Sequence, residues 1–336
     1  MKLRARIAIP LLIAAPWLPG VSPARLHGQD LLPQAREGIP DGLDAMYIRG
    51  MQYLVRSQNG AGSWDTYNGS EPGVAGLAVL SMLAHGDDPN YGPRKDAIHK
   101  GIDFILSKQD PDTGYIGTSM YNHGFATLAL AESYGQVHDG RIGPALQKAV
   151  NLILSAQSRN PSHAWRYTPE NTDADTTVSG AQMLALFAAR NAGCAVPEEA
   201  ISNGLHFFAE CQTPDGGIGY TGPGGPDPAR TAIGALVFSL ARQQKSAAFR
   251  TAIEYLEANP IDDGAYHQYY LYYAAQACFR ASPRAFDAWN SNNLKSLAAT
   301  QLDDGSWSTS LGPTFSTAAS LLSLALNYRL LPIYER

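Results

Sequence analysis

The chain lacks an unbroken apolar run of the ~20 residues that a membrane-spanning helix needs. Its N-terminal apolar stretch, from Ile7 to Leu18, is interrupted by Pro10 and Pro16. Lys2, Arg4 and Arg6 precede that stretch, and small residues follow it as far as Ala24. This pattern reads as a signal peptide over residues 1–24, cleaved near Ser22-Pro23-Ala24, rather than as an integral anchor. The expected location is periplasmic or extracellular. Such a location is compatible with membrane association but not with integral insertion.

A basic excess is also missing. Loss of residues 1–24 removes three positive charges and no negative ones, which moves the net charge from −5 to −8. An acidic chain has no electrostatic footprint for nucleic acid or anionic lipid. Cysteine is scarce, with only Cys194, Cys211 and Cys278. Cys194 and Cys211 flank a predicted helix over 197–212, whose ends lie ~20 Å apart at 1.5 Å per residue. A disulfide needs Cα atoms within ~7 Å, so no bridge is expected between them. Cys278 falls on an apolar helix and reads as a core residue. No Cys-x-x-Cys or His-x-x-x-His pair occurs, so neither a metal nor a cofactor is expected. Asp110-x-Asp112-x-Gly114 opens like a calcium loop, but its twelfth position is Tyr121 instead of Glu. It reads as a turn.

What the chain has in abundance is repetition. Gln58-Asn59-Gly60-Ala61-Gly62-Ser63-Trp64 returns as Gln301-Leu302-Asp303-Asp304-Gly305-Ser306-Trp307. Degenerate copies lie between: Gln109 with Gly114-Tyr115, Gln157 with Trp165, Gln212 with Gly216 and Tyr220, and Asn259 with Gly264 and Tyr266. Before each copy runs a one-faced helical stripe, such as Ile98, Ile102, Ile105 and Leu106. After each copy comes a segment that is small or apolar all round, such as Gly73–Leu83 or Val178–Ala189, and such helices are buried. The alternation predicts six outer and six inner helices. An open solenoid would need polar caps at its ends. The last inner segment, Thr314–Asn327, is as apolar as the middle ones, which favours closure into an all-α (α/α)6 barrel or toroid. The toroid is expected to span 43–331 as one domain, with 25–42 as a linker.

Physically, the repeated Gln is expected to donate to the last carbonyls of its own helix or to the glycine-rich loop. The aromatic is expected to fold back on the helix end, and the glycines to permit the tight turn. These roles are structural for Gln58, Trp64, Gln301 and Trp307. Six inner-helix N-termini should then ring one mouth of the barrel, where acceptors and anions are favoured.

Gln-x-x-x-Gly-x-Trp between paired helices resembles the QW-type repeat of squalene and oxidosqualene cyclases, shared more loosely with protein prenyltransferase β subunits. With the Tyr266–Tyr273 segment and the ending Tyr328-Arg329-Leu330-Leu331-Pro332, the layout looks like exported bacterial prenyltransferase/squalene oxidase repeat proteins. The resemblance implies an α/α toroid with a central cavity. Asp173-Ala174-Asp175-Thr176-Thr177 resembles the Asp-x-Asp-Asp-Thr of squalene–hopene-type cyclases. Carried over by position, Asp175 would be the proton donor and Asp173 its neighbour, while Thr176 replaces the third carboxylate. The competing reading makes either aspartate a helix cap. Protein prenylation is disfavoured, because none of the cysteines follows an Asp at the spacing that the zinc site requires.

Other candidates sit at predicted inner-helix starts. His123 and His267 could face the cavity as ligand or base. Tyr121, Tyr266 and Tyr270 could offer aromatic faces to a carbocation, an isoprenoid or a sugar. Arg230 could hold an anionic group. The sequence therefore carries one leading reading and two rivals. The first is a monomeric, exported toroid with a cavity for an isoprenoid-like ligand and a terpene-cyclase-type activity. The rivals are a non-catalytic toroid binding a glycan or protein, and a polysaccharide-cleaving α/α barrel. The last needs two carboxylates ~5–9 Å apart in a cleft.

Overall fold

The computed structural model describes residues 39–66, 69–260 and 266–334. The expected signal peptide and most of the expected linker lie outside the described residues. The outer helices are α1 (Leu43–Ser57), α3 (Lys95–Ser107), α5 (Ile142–Arg159), α7 (Glu198–Glu210), α9 (Ala247–Ala258) and α11 (Pro283–Thr300). The inner helices are α2 (Pro72–Leu83), α4 (Met120–Ser133), α6 (Thr176–Asn191), α8 (Pro228–Leu240), α10 (His267–Ala281) and α12 (Pro313–Ala325). One short antiparallel pair, Asp65–Thr66 with Gly69–Ser70, decorates the first loop.

Each outer helix buries one stripe, as α3 does with Ala97, Ile98, Gly101, Ile102 and Ile105. The inner helices are covered on every side, so that only Val74 of α2 is not fully buried. Small residues let them pack closely. A Cβ on Gly76 of α2 would stand 2.8 Å from the Phe125 carbonyl oxygen of α4. The inner helices contact one another in the order α2, α4, α6, α8, α10, α12 and back to α2. The ring is closed, and the chain is an all-α (α/α)6 toroid.

The repeated motif is what joins one hairpin to the next. Nε2 of Gln58, Gln109, Gln157 and Gln212 donates to the carbonyl of Ala97, Ala145, Ala200 and Ala248, at 2.9, 2.9, 2.8 and 2.9 Å. Each acceptor lies in the first turn of the following outer helix. The same nitrogen also donates to its own loop, for Gln58 at the Gly62 carbonyl (3.0 Å). Gln301 closes the circle by donating to the Met46 carbonyl of α1 at 2.9 Å. Of the two expected acceptors, the glycine-rich loop is the one used, and the amide also crosses to the neighbouring helix instead of bonding its own. The tryptophan satisfies the home helix instead. Trp64, Trp165 and Trp307 Nε1 donate to Leu54, Ile153 and Leu297 carbonyls at 2.8, 2.9 and 3.0 Å.

Gly62 must be glycine for two reasons. Its φ is +81°, and a Cβ would lie 2.2 Å from the Lys100 carbonyl oxygen of α3. The copy after α9 departs from the pattern, since Asn259 Nδ2 returns to Tyr255 O of its own helix at 2.9 Å. The three cysteines are free thiols, with Cys211 and Cys278 buried.

Past α12 the chain folds back over the end where the inner helices finish. Ile333 N donates to Glu132 Oε2 of α4 at 3.3 Å, and Arg280 of α10 donates to the Ile333 carbonyl. Tyr334 OH reaches the Leu322 carbonyl of α12 at 3.5 Å, and both Ile333 and Tyr334 are 3% exposed. That end of the ring is covered by the chain's own C-terminal turn.

Candidate functional site

The inner-helix starts stand level at the other end. Gly73 N of α2 donates to Asn122 Oδ1 of α4 at 3.0 Å. Tyr121 OH of α4 bonds Thr177 Oγ1 of α6. Thr176 N of α6 donates to the Tyr220 carbonyl, in the loop before α8, at 2.9 Å. Tyr269 of α10 stacks on Phe315 of α12 with centroids 6.3 Å apart. The expected mouth exists.

Asp175 is the N-cap of α6 and is completely buried. Its Oδ1 accepts from Thr177 N (2.9 Å), Val178 N (2.8 Å) and Thr177 Oγ1 (2.6 Å). This is the capping geometry that satisfies free helix-start amides. Its Oδ2 is buried with no hydrogen-bond partner, which is an uncommon state for a buried polar atom. Thr177, held by the same Oδ1, bonds Tyr121 at the mouth. Burial pushes the phenols of Tyr121, Tyr269 and Tyr273 well above their ordinary range, so they stay neutral donors. Tyr269 and Tyr273 meet edge to face at 5.0 Å. The result is one buried carboxyl beside a wall of neutral phenols.

The tyrosines come from opposite sides of the ring, since α4 and α10 are separated by two inner helices either way round. Deeper in, Phe125 of α4 and Tyr272 of α10 meet with centroids 6.4 Å apart. The central space implied by the resemblance is thus bridged by aromatic side chains.

The remaining candidates divide. Asp173 turns outward, with its side chain 62% exposed and paired to Arg166 Nη1 at 3.0 Å. It is tied to the rim and does not act as a second buried carboxyl. Thr176 is buried and donates through Oγ1 to the Gly219 carbonyl at 2.8 Å, so it seals the seam between α6 and the next loop. His123 faces away from the mouth. Its Nδ1 accepts from Ile116 N and its Nε2 donates to the Ala149 carbonyl of outer helix α5, both at 3.1 Å. Burial lowers its pKa to about 4, which keeps it neutral.

The place of His123 is a repeat position. Ser179, Thr231 and Thr317 hold Trp165 N, Ile218 N and Trp307 N in the same way, at 3.0, 2.9 and 3.0 Å. The ligand-or-base reading of His123 is therefore corrected to a loop clamp. Tyr270 is corrected too, because its OH accepts from Trp289 Nε1 of outer helix α11 at 3.3 Å. One turn of α10 decides which tyrosines enter the ring, and they are Tyr269, Tyr272 and Tyr273. Tyr266 is 63% exposed at the start of α10, and His267 follows it, partly buried. Arg230 pairs with Asp227 Oδ2 at 2.8 Å and lies 5.8 Å over the Tyr220 ring.

Sequence reasoning missed the rim. Tyr167 and Tyr220 join through their hydroxyls, and Arg166 lies over both rings at 5.2 and 5.5 Å. Both tyrosines belong to loops that degenerate copies of the motif occupy, which is the signal that could have found them. Among the described residues, no group of three or more His, Cys, Asp or Glu could hold a metal ion. No described helix is long and apolar enough to cross a membrane.

No family model and no curated protein sequence matches the chain. Solved structures do match. The type II terpene cyclase MstE from Scytonema is 16% identical with a TM-score of 0.61, over 86% of this chain and 98% of that one. The GH76A alpha-1,6-mannanase of Salegentibacter is 7% identical with a TM-score of 0.65, over 84% and 98%. A protein from Actinoplanes is 16% identical with a TM-score of 0.55, over 85% and 99%. At these identities the likeness is one of architecture: the chain shares the α/α toroid of terpene cyclases and mannanases.

Proposed function

We propose that the mouth formed by the inner-helix starts takes an apolar, isoprenoid-like ligand, and that Asp175 gives a proton to one of its double bonds through Oδ2. The observation that carries the reading is the division of labour within this carboxyl group. Oδ1 already accepts three hydrogen bonds, and Oδ2 accepts none while buried among phenols. A proton resting on Oδ2 removes an unpaired acceptor from a dry site. Transfer of that proton to an alkene carbon leaves a carbocation, which the ring faces of Tyr121, Tyr269 and Tyr273 stabilise through their quadrupoles. Loss of a proton from the closed product ends the reaction, and solvent reloads the acid. One MstE structure holds geranylgeranyl dihydroxybenzoate, a ligand of this type. We propose further that the protein works after export.

A second reading rests on a different set of residues. Tyr167 is 44% exposed, and together with Tyr220, Arg166 and Arg230 it forms an open aromatic and cationic rim suited to stacking on sugar rings. A mannanase neighbour binds alpha-1,6-mannotetrose. Hydrolysis has little support here. Glu71 is engaged by Asn122 and Thr66, Asp173 by Arg166, and Asp227 by Arg230. Among the described residues, Asp175 Oδ2 is the one buried carboxyl oxygen without a hydrogen-bond partner, and a glycosidase needs two working carboxylates.

The experiment is organic extraction of the purified protein with mass spectrometry, followed by incubation with polyunsaturated isoprenoids. A co-purified isoprenoid, or an isomer formed from one, supports the proposal. A clean extract and no turnover, together with saturable glycan binding, would establish the rim reading instead.

A further inference from the structure

The end of the ring where the inner helices finish carries a feature that the mouth does not explain. A cleft of about 810 Å³ opens there between the ends of α6, α8 and α10 and the C-terminal turn. That volume lies within the range of small-molecule sites. Three guanidiniums line it: Arg190 from the last turn of α6, Arg242 from just past α8, and Arg280 from the last turn of α10. Among the described residues, Glu198 is the one carboxylate in the lining. The described lining is therefore rich in guanidinium in a chain whose net charge is −5.

Basic residues at helix C-termini complement the helix dipole without any ligand. That general cause does not account for this cluster. The last turns of α2 and α4 carry no basic residue. Moreover, Gly86, Gly135 and Gly193 take the left-handed turn after α2, α4 and α6 with φ of 87°, 82° and 91°. After α8 the corresponding left-handed residue is Arg242, at φ 60°. Glycine adopts that conformation without strain and arginine does not. Arg242 is exposed and forms no ion pair among the described residues. An arginine kept where glycine fits better, facing a cleft, needs a reason outside the backbone. Its two companions are already oriented. Arg190 is held by Glu198 at 3.1 Å and by the Phe187 ring at 5.2 Å, and Arg280 is held by the Ile333 carbonyl.

We propose that this cleft binds a small organic dianion, a phosphomonoester. Its charge of roughly −1.5 to −2 suits the Arg242 guanidinium, which has no ion pair among the described residues. Phosphoryl oxygens suit the planar forks of arginine. The Phe187, Leu240 and Pro332 side chains of the lining give the organic part an apolar wall. The site is independent of Asp175 and stands whether or not the mouth is catalytic.

The test is calorimetric titration of the full-length protein with phenyl phosphate, inorganic phosphate, benzoate and benzyl alcohol at fixed ionic strength, on wild type and Arg242→Gly. The expected result is saturable binding of phenyl phosphate, at least tenfold tighter than benzoate or inorganic phosphate, with no binding of the neutral alcohol. Arg242→Gly should weaken phenyl phosphate at least tenfold while leaving the melting temperature equal or higher, because the left-handed strain is relieved. A second variant, Arg190→Gln, should weaken it as well, and Asp175→Asn should bind as wild type does. Equal affinity for phenyl phosphate in wild type and Arg242→Gly would overturn the proposal. So would equal affinity for phenyl and inorganic phosphate, which would mean an adventitious ion only, or no saturable binding at all.

Discussion

The Phe125 ring of α4 meets the Tyr272 ring of α10 at 6.4 Å, and the two helices stand on opposite sides of the ring. This contact makes the centre of the toroid a packed aromatic core. Tyr272→Ala should therefore cost about 3–5 kcal/mol, as large-to-small changes in a core do. The cavity left behind should admit an apolar dye that the wild type excludes. Urea unfolding and dye fluorescence check both halves. A small loss of stability, with dye taken up equally by wild type and variant, would mean that the centre is already open.

The glutamine staples should outweigh their number. Gln301→Ala removes the donor to Met46 O and Gly305 O. Each lost bond to a part-buried carbonyl costs about 1–3 kcal/mol. The melting temperature should fall by several degrees, at roughly 2–4 °C per kcal/mol for a chain of this size. Gln→Ala at position 58 should behave alike. Asn259→Ala should cost clearly less, because Asn259 bonds only its own helix.

Glycine at 62 is a steric requirement. Gly62→Ala places a Cβ at 2.2 Å from a carbonyl oxygen in a left-handed turn. The destabilisation should exceed the ~1 kcal/mol that the backbone conformation alone explains. Gly60→Ala, whose Cβ meets nothing within 4 Å, is the matched control.

Acid should reveal His123. Its folded pKa lies at about 4, below the unfolded value of 6.5, chiefly through desolvation. The unfolded chain thus binds this proton first as the pH falls. Stability linked to His123 is fully present above pH 6.5 and is lost on descent to about pH 4. The whole step is on the order of 3 kcal/mol. Chemical denaturation at a series of pH values should show that slope in wild type and a shallower one in His123→Gln.

Much of this was legible in the sequence. A buried inner helix shows no polar face, so the alternation of one-faced and all-apolar segments gave twelve helices, and the apolar final helix gave closure. Asp175 was visible through its place before Thr176-Thr177-Val178. What the sequence hid was direction. The Gln58 amide has carbonyls on both sides, and only packing selects Ala97 over its own helix. His123 and Tyr121 lie two positions apart on α4, and that rotation sends one to the outer helix and the other to the mouth. Tyr269 and Tyr270 differ by one position and part in the same way. The loop tyrosines Tyr167 and Tyr220 carry no helical period, so nothing in their spacing announced that they meet.

The most direct measurement is product analysis after incubating an isoprenoid polyene with wild type and with Asp175→Asn. Asparagine caps a helix about as well as aspartate, so the variant keeps Oδ1 in place and should melt within a few degrees of wild type. It has no proton to give an alkene. The proposal requires a cyclised isomer of the substrate from wild type and none from Asp175→Asn. Product from both would remove Asp175 as the acid. Product from neither, with a ligand-free extract, would reduce Asp175 to the helix cap that its Oδ1 already makes it.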